Sequence, residues 1–161
     1  RLKEKIKSVH LCFTTDPFMY EYEDIANESV KIIKLLNDNG YIVIIITNQP
    51  GIGKGILTTD KLDEIHNKMQ DDLKKIGAKI DEIYYCPHDW DEGCFCRKPN
   101  PGLLYMAQKD YSLDLTKCIL FGDDERDIMA ADRARCKSIL VSEDYKLIDA
   151  VKDYLMEVNI W

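Results

Sequence analysis

Short apolar runs alternate with amphipathic stretches along the chain. Residues 41–47 are apolar and β-branched at successive positions, as in a central parallel strand that helices cover on both sides. Residues 24–39 place apolar side chains three positions apart and stop at Gly40, which predicts an amphipathic helix. A second such helix, capped by Thr58 or Thr59 and stopped by Gly77, has a predicted core stripe of Leu62, Ile65, Met69, Leu73 and Ile76.

The same alternation continues to the end of the chain. We predict further strands and helices in this order: strand 9–13 before the first helix, strand 80–85, a helix beginning at Pro101, strand 118–122, helix 126–134, strand 138–142 and helix 144–157. This β-α rhythm predicts an α/β fold, a three-layer, Rossmann-like parallel sheet in strand order 3-2-1-4-5. Because no repeat, low-complexity tract or linker interrupts residues 1–161, we expect a single domain.

Polar residues follow nearly every predicted strand. Ligands of such sheets bind beyond the carboxyl ends of the strands, so these residues are the first candidates for a site. The candidates are Thr14 and Asp16 after the first strand, Thr47 and Asn48 after the second, Arg97 and Lys98 beyond the third, and Asp123 after the fourth.

Two of these candidates are carboxylates at neighbouring strand ends. In the order 3-2-1-4-5, Asp16 and Asp123 follow adjacent strands, where they could hold Mg²⁺ and leave room for waters and a substrate phosphate. The alternative is that each carboxylate caps the turn or helix that follows it.

A cluster of cysteine and histidine follows the third strand. Cys86, His88, Cys94 and Cys96 lie within eleven residues as two close pairs, which suits tetrahedral Zn²⁺. Four protein ligands leave no open position, so we expect a structural metal that locks the small loop presenting Arg97 and Lys98. The alternative is four unrelated residues in a loop.

Other conspicuous residues favour no chemistry. The glycines of residues 51–55 do not form a P-loop, because Lys54 is followed by Gly55; a mobile loop and a substrate contact remain equally open. His10 and His66 stand alone, and we interpret both as structural or solvent-facing.

Composition narrows the classes of function. The chain has 161 residues, a net charge of −7 and 45% hydrophobic residues, which suits one globular domain and excludes a disordered chain or a general nucleic-acid binder. No apolar run is long enough to span a membrane, and without a signal peptide we expect a cytoplasmic protein. The six cysteines are therefore expected to be metal ligands or buried thiols, with no disulfide.

Three segments resemble the haloacid dehalogenase-like phosphatases, specifically the branch that contains heptose-bisphosphate phosphatase and histidinol-phosphatase. They are TNQPGIGKG at 47–55, CPHDWDEGCFCRKPNPG at 86–102 and GDDERDIMAA at 122–131. The resemblance runs from about Val30 to Val141, and its middle block is the most specific part.

The resemblance implies a role for each matching residue. Thr47 and Asn48 would hydrogen-bond the transferring phosphoryl group, Lys98 would neutralise its charge, and Arg97 would contact substrate phosphate. Asp123 would bind Mg²⁺, and Asp127 would support its loop.

The zinc ligands and the acid of the family also have counterparts. Cys86, His88, Cys94 and Cys96 match the family's zinc ligands, and Asp16 would act as general acid and then as general base.

The first motif departs from the family. Where the family has Asp-x-Asp-Gly-Thr, residues 14–18 read Thr-Thr-Asp-Pro-Phe, so Thr14 replaces the nucleophilic aspartate. A hydroxyl needs a base before it can attack phosphorus, and no histidine is close in sequence. The same segment is also similar to a strand-helix unit of some radical S-adenosylmethionine enzymes, whose C-x-x-x-C-x-x-C cluster is absent here.

These observations predict a Mg²⁺-dependent phosphatase of a small phosphorylated sugar or alcohol, of heptose bisphosphate or histidinol phosphate type, impaired at Thr14. The alternatives are an inactive phosphate-binding or scaffold domain of the same fold and a purely zinc-stabilised interaction domain. We expect a monomer that binds neither nucleic acid nor membrane and has no large cap domain over its site.

Overall fold

The computed structural model describes residues 8–11 and 23–158, with side chains from residue 28 onward. In chain order the elements are β1 (Ser8–Leu11), α1 (Glu23–Asp38), β2 (Ile42–Asn48), α2 (Pro50–Gly53), α3 (Thr59–Lys75), β3 (Glu82–Cys86), α4 (Gly102–Tyr111), β4 (Ile119–Gly122), α5 (Glu125–Arg133), β5 (Lys137–Leu140) and α6 (Leu147–Glu157). A 3-10 turn, Leu115–Lys117, precedes β4. None of the helices described is long and apolar enough to cross a bilayer.

The five strands form one parallel sheet in the order β3-β2-β1-β4-β5, which confirms the predicted topology. The central strand β1 pairs with β2 on one side and β4 on the other, and its Leu11 lies opposite Ile45 and Phe121. The carboxyl ends of all the strands therefore meet at one edge of the sheet, where the candidate residues are concentrated.

Two apolar clusters cover the two faces of the sheet and confirm the three-layer architecture. On one face, Val43 and Ile45 pack with residues of α1, α3 and α6, including Ile33 and Val151. On the other face, Ile44 and Ile46 pack with residues of α4 and α5. Alternate side chains of β2 thus enter opposite layers, which explains its unbroken apolar run.

The structure corrects the predicted end of α3. Ile76 is its C-cap residue and is 44% exposed, so the core stripe ends at Leu73 rather than at Ile76. Gly77 turns the chain away with a φ of +71°, a conformation that glycine adopts without strain. At the other end, the Thr58 hydroxyl accepts a hydrogen bond from the Lys61 amide, so Thr58 caps the helix.

The isolated cysteines in the described part of the chain are buried thiols, as predicted. Cys118 and Cys136 pack into the second cluster and form no disulfide. Burial raises the pKa of the Cys136 thiol to about 12, so this thiol stays protonated at neutral pH. Cys12 lies outside the described residues.

Candidate active site

Asn48 ties the end of β2 to the loop that carries Lys98. Its Oδ1 accepts a hydrogen bond from the Lys98 amide at 3.0 Å, and its Nδ2 donates to the Lys98 carbonyl at 3.2 Å. The side-chain amide therefore pairs with the backbone as a neighbouring strand would. Thr47, the preceding residue of β2, is 6% exposed.

The Lys98 ammonium is buried and paired. Its Nζ lies 2.8 Å from Oδ1 of Asp127, and the two side chains are 3% and 1% exposed. The same Nζ donates to the Ile46 carbonyl at 3.3 Å. A buried charge is stable only with a partner of opposite sign and further hydrogen bonds, so these contacts keep Lys98 charged beneath the carboxyl edge of the sheet.

Asp127 is itself fixed by the start of α5. The Asp124 carboxylate accepts a hydrogen bond from the Arg126 amide at 2.8 Å, and Asp127 Oδ2 accepts one from the Asp124 amide at 3.2 Å, which completes a capping box. Gly122 packs directly against the Asp127 side chain and leaves no space for a Cβ. The short loop between β4 and α5 therefore sets the position of Lys98's counterion.

The four predicted zinc ligands come together after β3. The Sγ atoms of Cys86, Cys94 and Cys96 lie 3.2–3.5 Å apart, and His88 Nδ1 lies 3.5 Å from Cys86 Sγ and 3.3 Å from Cys96 Sγ. For tetrahedral Zn²⁺ with bonds of about 2.3 Å, sulfur atoms are expected about 3.8 Å apart. The cluster therefore fits zinc after an expansion of a few tenths of an ångström.

The chemistry of these ligands also suits a cation. Burial raises the pKa of the Cys86 thiol, because the thiolate loses its hydration. A bound metal reverses that preference by stabilising the thiolate. The cluster uses three thiols and one imidazole, a soft set typical of structural zinc.

The segment around the glycine loop (residues 51–55) packs against the zinc loop (residues 86–98). The Gly53 amide donates to the Pro87 carbonyl at 2.8 Å, and the Gln49 amide donates to the Cys86 carbonyl at 2.8 Å. A Cβ on Gly53 would lie 2.8 Å from the Asp89 amide nitrogen, so only glycine fits this contact. Residues 50–53 form the short helix α2 rather than an extended loop.

The zinc loop also orients Arg97. This side chain is 8% exposed, and its Nη1 donates to the His88 carbonyl at 2.9 Å. The backbone carbonyl of His88, a member of the Cys/His cluster, thus holds the guanidinium in place. That a metal locks this loop so that it presents Arg97 and Lys98 stays a prediction.

Two residues of this region are missing from the sequence-based predictions. The Trp90 ring lies 4.4 Å from the Arg97 guanidinium carbon and 5.1 Å from that of Arg126. Arg126 also holds the Asp124 carboxylate through two bonds of 2.7 Å, which lowers the pKa of Asp124 to about 2. No local pattern predicts a contact between a loop tryptophan and an arginine in the first turn of α5.

These groups surround a cleft of about 110 Å³ at the carboxyl edge of the sheet. Its lining residues are Asn48, Pro50, Trp90, Arg97, Lys98, Arg126 and Asp127. Asn48, Arg97 and Lys98 were predicted as site residues, and the fold brings them together. Asp123 follows β4 at the same edge and is exposed, whereas Thr14 and Asp16 lie outside the described residues.

His66, in contrast, lies away from this cleft. It is partly buried on α3, and its ring centroid is 6.0 Å from that of Tyr85. This contact agrees with the structural interpretation of His66. His10 belongs to β1, and its side chain lies outside the described part of the structure.

Comparisons with known proteins agree with this architecture. The sequence profile of the family described as polynucleotide kinase 3 phosphatase matches residues 6–154. The D-glycero-alpha-D-manno-heptose-1,7-bisphosphate 7-phosphatase of Photorhabdus laumondii is 33% identical over 156 aligned positions, covering 89% of this chain and 84% of the relative. The D-glycero-beta-D-manno-heptose-1,7-bisphosphate 7-phosphatase of Bordetella bronchiseptica is 39% identical over 113 positions, covering 70% and 63%.

A solved structure extends the likeness to three dimensions. The crystal structure of D,D-heptose 1,7-bisphosphate phosphatase from B. bronchiseptica, complexed with magnesium and phosphate, superposes with a TM-score of 0.80 at 29% identity. The superposition covers 94% of this chain and 99% of that one.

Proposed function

Because the chain belongs to the polynucleotide kinase 3 phosphatase family of haloacid dehalogenase-like phosphomonoester hydrolases, we propose that its substrate is a heptose 1,7-bisphosphate and that Thr14 weakens its turnover. The observation that carries the proposal is the buried Lys98–Asp127 pair at 2.8 Å, which lies below a cleft lined by a second cation, Arg97. A phosphate ester is the ligand whose charge this arrangement complements.

Several of the described residues bind the transferring phosphoryl group, each through a different contact. Lys98 neutralises its charge, and the Thr47 hydroxyl and the Asn48 amide donate hydrogen bonds to its oxygens. One amide hydrogen of Asn48 bonds the Lys98 carbonyl, and the amide group carries a second hydrogen for the phosphoryl group. Arg97 contacts phosphate on the remainder of the substrate.

Mg²⁺ and Zn²⁺ have separate places in this proposal. Asp123, which is exposed, and Asp16, which follows β1 in the sequence, would hold Mg²⁺, since carboxylates after neighbouring parallel strands supply the oxygen ligands this ion prefers. Mg²⁺, when bound, neutralises charge on the phosphoryl oxygens. Cys86, His88, Cys94 and Cys96 hold Zn²⁺ as a structural ion with no open position.

The presence of threonine rather than aspartate at position 14 determines the expected rate of hydrolysis. In the family, the carboxylate attacks phosphorus while the sugar oxygen leaves with a proton from the general acid, and water then hydrolyses the acyl phosphate. The hydroxyl of Thr14 must first give up a proton, so its attack is much slower than that of a carboxylate. Asp16 retains its proposed role as acid and base.

Restoring the carboxylate tests the proposal. We expect Thr14→Asp to raise phosphate release from heptose 1,7-bisphosphate, with Mg²⁺ present, at least about a hundredfold. Thr15→Asp, which adds the same charge one residue away, serves as the control and should give no increase. Equal and robust turnover in wild type and Thr14→Asp would show that Thr14 does not occupy the nucleophile position.

Thr14 also supports a second candidate, a phosphate-ligand-binding domain without turnover. Calorimetry with heptose 1,7-bisphosphate alongside the hydrolysis assay distinguishes the two. Binding by a wild-type chain that releases no phosphate selects the binding domain, whereas measurable wild-type turnover selects the impaired enzyme.

A further inference from the structure

Trp90 is a large apolar side chain held at the mouth of the cleft. Its indole is 59% exposed, although apolar rings of this size are usually mostly buried. Two guanidiniums lie against it, Arg97 at 4.4 Å and Arg126 at 5.1 Å. Both distances are within the range at which a cation is attracted to an aromatic ring.

The charges around Trp90 are incompletely balanced. Lys98 pairs with Asp127, and Arg126 pairs with Asp124. Arg97 donates instead to a neutral carbonyl, and within residues 28–158 no carboxylate lies at ion-pair distance from its guanidinium. Arg97 is therefore a cation of the cleft with which an anion can pair.

A guanidinium stacked on the indole still has N–H groups that can donate hydrogen bonds to an anion. A guanidinium stacked on an aromatic ring engages it through its π face and keeps its N–H groups pointing outward in its plane. Arg97 donates through Nη1 to the His88 carbonyl and Arg126 donates through Nε and Nη2 to Asp124, so it is their other in-plane N–H groups that match the oxygens of a phosphate. Two guanidiniums on one ring also repel each other, and the negative face of the indole offsets part of that repulsion.

We propose that Trp90 is a positioning residue that holds Arg97 and Arg126 against one indole as a two-guanidinium phosphate site at the mouth of the cleft. The proposal deepens the proposed function, since it assigns how an anionic substrate is received at the same site. Trp90 acts through the arginines, and Arg126 joins Arg97 as a phosphate contact.

Phosphate affinity of Trp90 variants tests this inference. The measurement is calorimetric titration of the zinc-loaded chain with inorganic phosphate, without Mg²⁺. Because the ring is exposed, its removal should leave the fold intact. We expect Trp90→Ala to raise the Kd about three- to thirtyfold, and Trp90→Phe to restore part of the affinity because it retains a ring.

The chain offers a matched control in the same loop. Phe95 is 65% exposed and stacks on Tyr105 with ring centroids 6.1 Å apart. Phe95→Ala should leave the Kd for phosphate unchanged. A wild-type Kd in Trp90→Ala, an equal loss in Phe95→Ala, or no phosphate binding by the wild-type chain would each overturn the proposal.

Fluorescence gives a second readout. The sequence contains two tryptophans, so Trp161→Phe leaves Trp90 as the sole indole. We expect phosphate to change its emission with a midpoint equal to the calorimetric Kd, and Arg126→Gln to weaken binding and reduce the change. Emission that stays constant at saturating phosphate would contradict a phosphate site beside Trp90.

These outcomes separate the inference from the proposed function. Phosphate binding that depends on Trp90, in a chain whose Thr14→Asp variant still hydrolyses no heptose bisphosphate, supports the inference and overturns the proposed function. Hydrolysis by Thr14→Asp, together with phosphate binding that is unchanged in Trp90→Ala, supports the proposed function and overturns the inference.

Discussion

Two loops deliver charge to the same cleft by different means. The zinc loop, residues 86–98, supplies Arg97 and Lys98, and its four ligand side chains converge within 4.8 Å of one another. The β4–α5 loop, taken with the flanking Gly122 of β4 and the first turn of α5 (residues 122–127), supplies the counterion Asp127 through one glycine contact and a capping box. One loop depends on side chains suited to a metal, and the other depends on backbone hydrogen bonds and close packing.

The difference follows from where each loop lies. The β4–α5 loop leads directly into a helix, whose first backbone amides need hydrogen-bond acceptors. The side chains that cap the helix therefore also fix the loop. The zinc loop spans a longer irregular segment between β3 and α4 and does not lead directly from a strand into a helix. A metal bound by the four clustered side chains would fix that loop, as the helix N-terminus fixes the other.

Removing the zinc ligands should have the largest effect. We expect Cys94→Ser with Cys96→Ser to abolish zinc binding, from about one ion per chain, and to release Arg97 and Lys98 from the cleft. Metal analysis and the calorimetric phosphate titration would measure both losses. Cys136→Ala, which removes a buried thiol outside the cluster, should keep its zinc. Undiminished zinc in the double variant would refute the zinc assignment.

The next largest effect tests the other loop without touching a metal ligand. Asp127→Asn leaves the buried Lys98 ammonium without its counterion, so we expect a loss of about 3–5 kcal/mol in the free energy of unfolding. Denaturant titration would measure it. Asp132→Asn, at an exposed position of the same helix, should change stability by less than about 0.5 kcal/mol. Similar losses in the two variants would show that the ion pair is not what stabilises this loop.

Close packing at Gly122 should have a smaller effect. In Gly122→Ala the added methyl group overlaps the Asp127 side chain, and we expect a loss of about 1–3 kcal/mol. Gly51→Ala is the matched control, because its Cβ would meet Leu57 at an ordinary 3.6 Å. The loss of stability would be measured by thermal or denaturant unfolding. Equal losses in the two variants would show that close packing at Gly122 does not stabilise the β4–α5 loop.

The smallest expected effect is on pH dependence. The Arg126 pair lowers the pKa of Asp124 to about 2, below its ordinary value near 4. A lowered pKa stabilises the fold above the ordinary value and loses that stabilisation as the pH falls from about 4 to about 2. Since Asp124 is partly exposed, we expect about 1 kcal/mol.

Comparison with Arg126→Gln isolates this contribution. The stability difference between wild type and Arg126→Gln should be present at pH 5 and vanish near pH 2, and NMR titration should show a higher pKa for Asp124 in the variant. As the pH is lowered, the zinc loop should lose its metal, and with it its structure, at a higher pH than that at which the Arg126–Asp124 pair is lost, because protons compete with the metal for the thiolates. A constant stability difference across this range would contradict the role of the Arg126–Asp124 pair.

The fold was largely predictable because the sheet imposes simple rules on its sequence. An apolar run such as residues 41–47 is stable in water only when both faces are covered, and the helical stripes identify what covers them. Ile76 escaped this reasoning, since the spacing does not reveal that the residue just before the stop at Gly77 is an exposed C-cap residue. The 3-10 turn before β4 carries no periodic signal at all.

The candidate site was predictable where its residues are close in sequence. The predicted zinc ligands and Lys98 fall within one motif; the structure gathers the four ligands into one cluster and places Lys98 in the cleft. Trp90 and Arg126 are 36 residues apart and meet only because β3 and β4 end at the same edge of the sheet. The roles of Thr14 and Asp16 stay predictions from the motif.

The spacing of the zinc ligands also bears on the order in which the molecule assembles. The entropy lost in closing a loop rises with its length, and the ligands from Cys86 to Cys96 close a segment of only eleven residues. The Lys98–Asp127 pair, in contrast, forms only after β2, β4 and α5 have come together. We therefore expect metal capture to be an early, local event in folding, with the Lys98–Asp127 pair forming only when these elements have assembled.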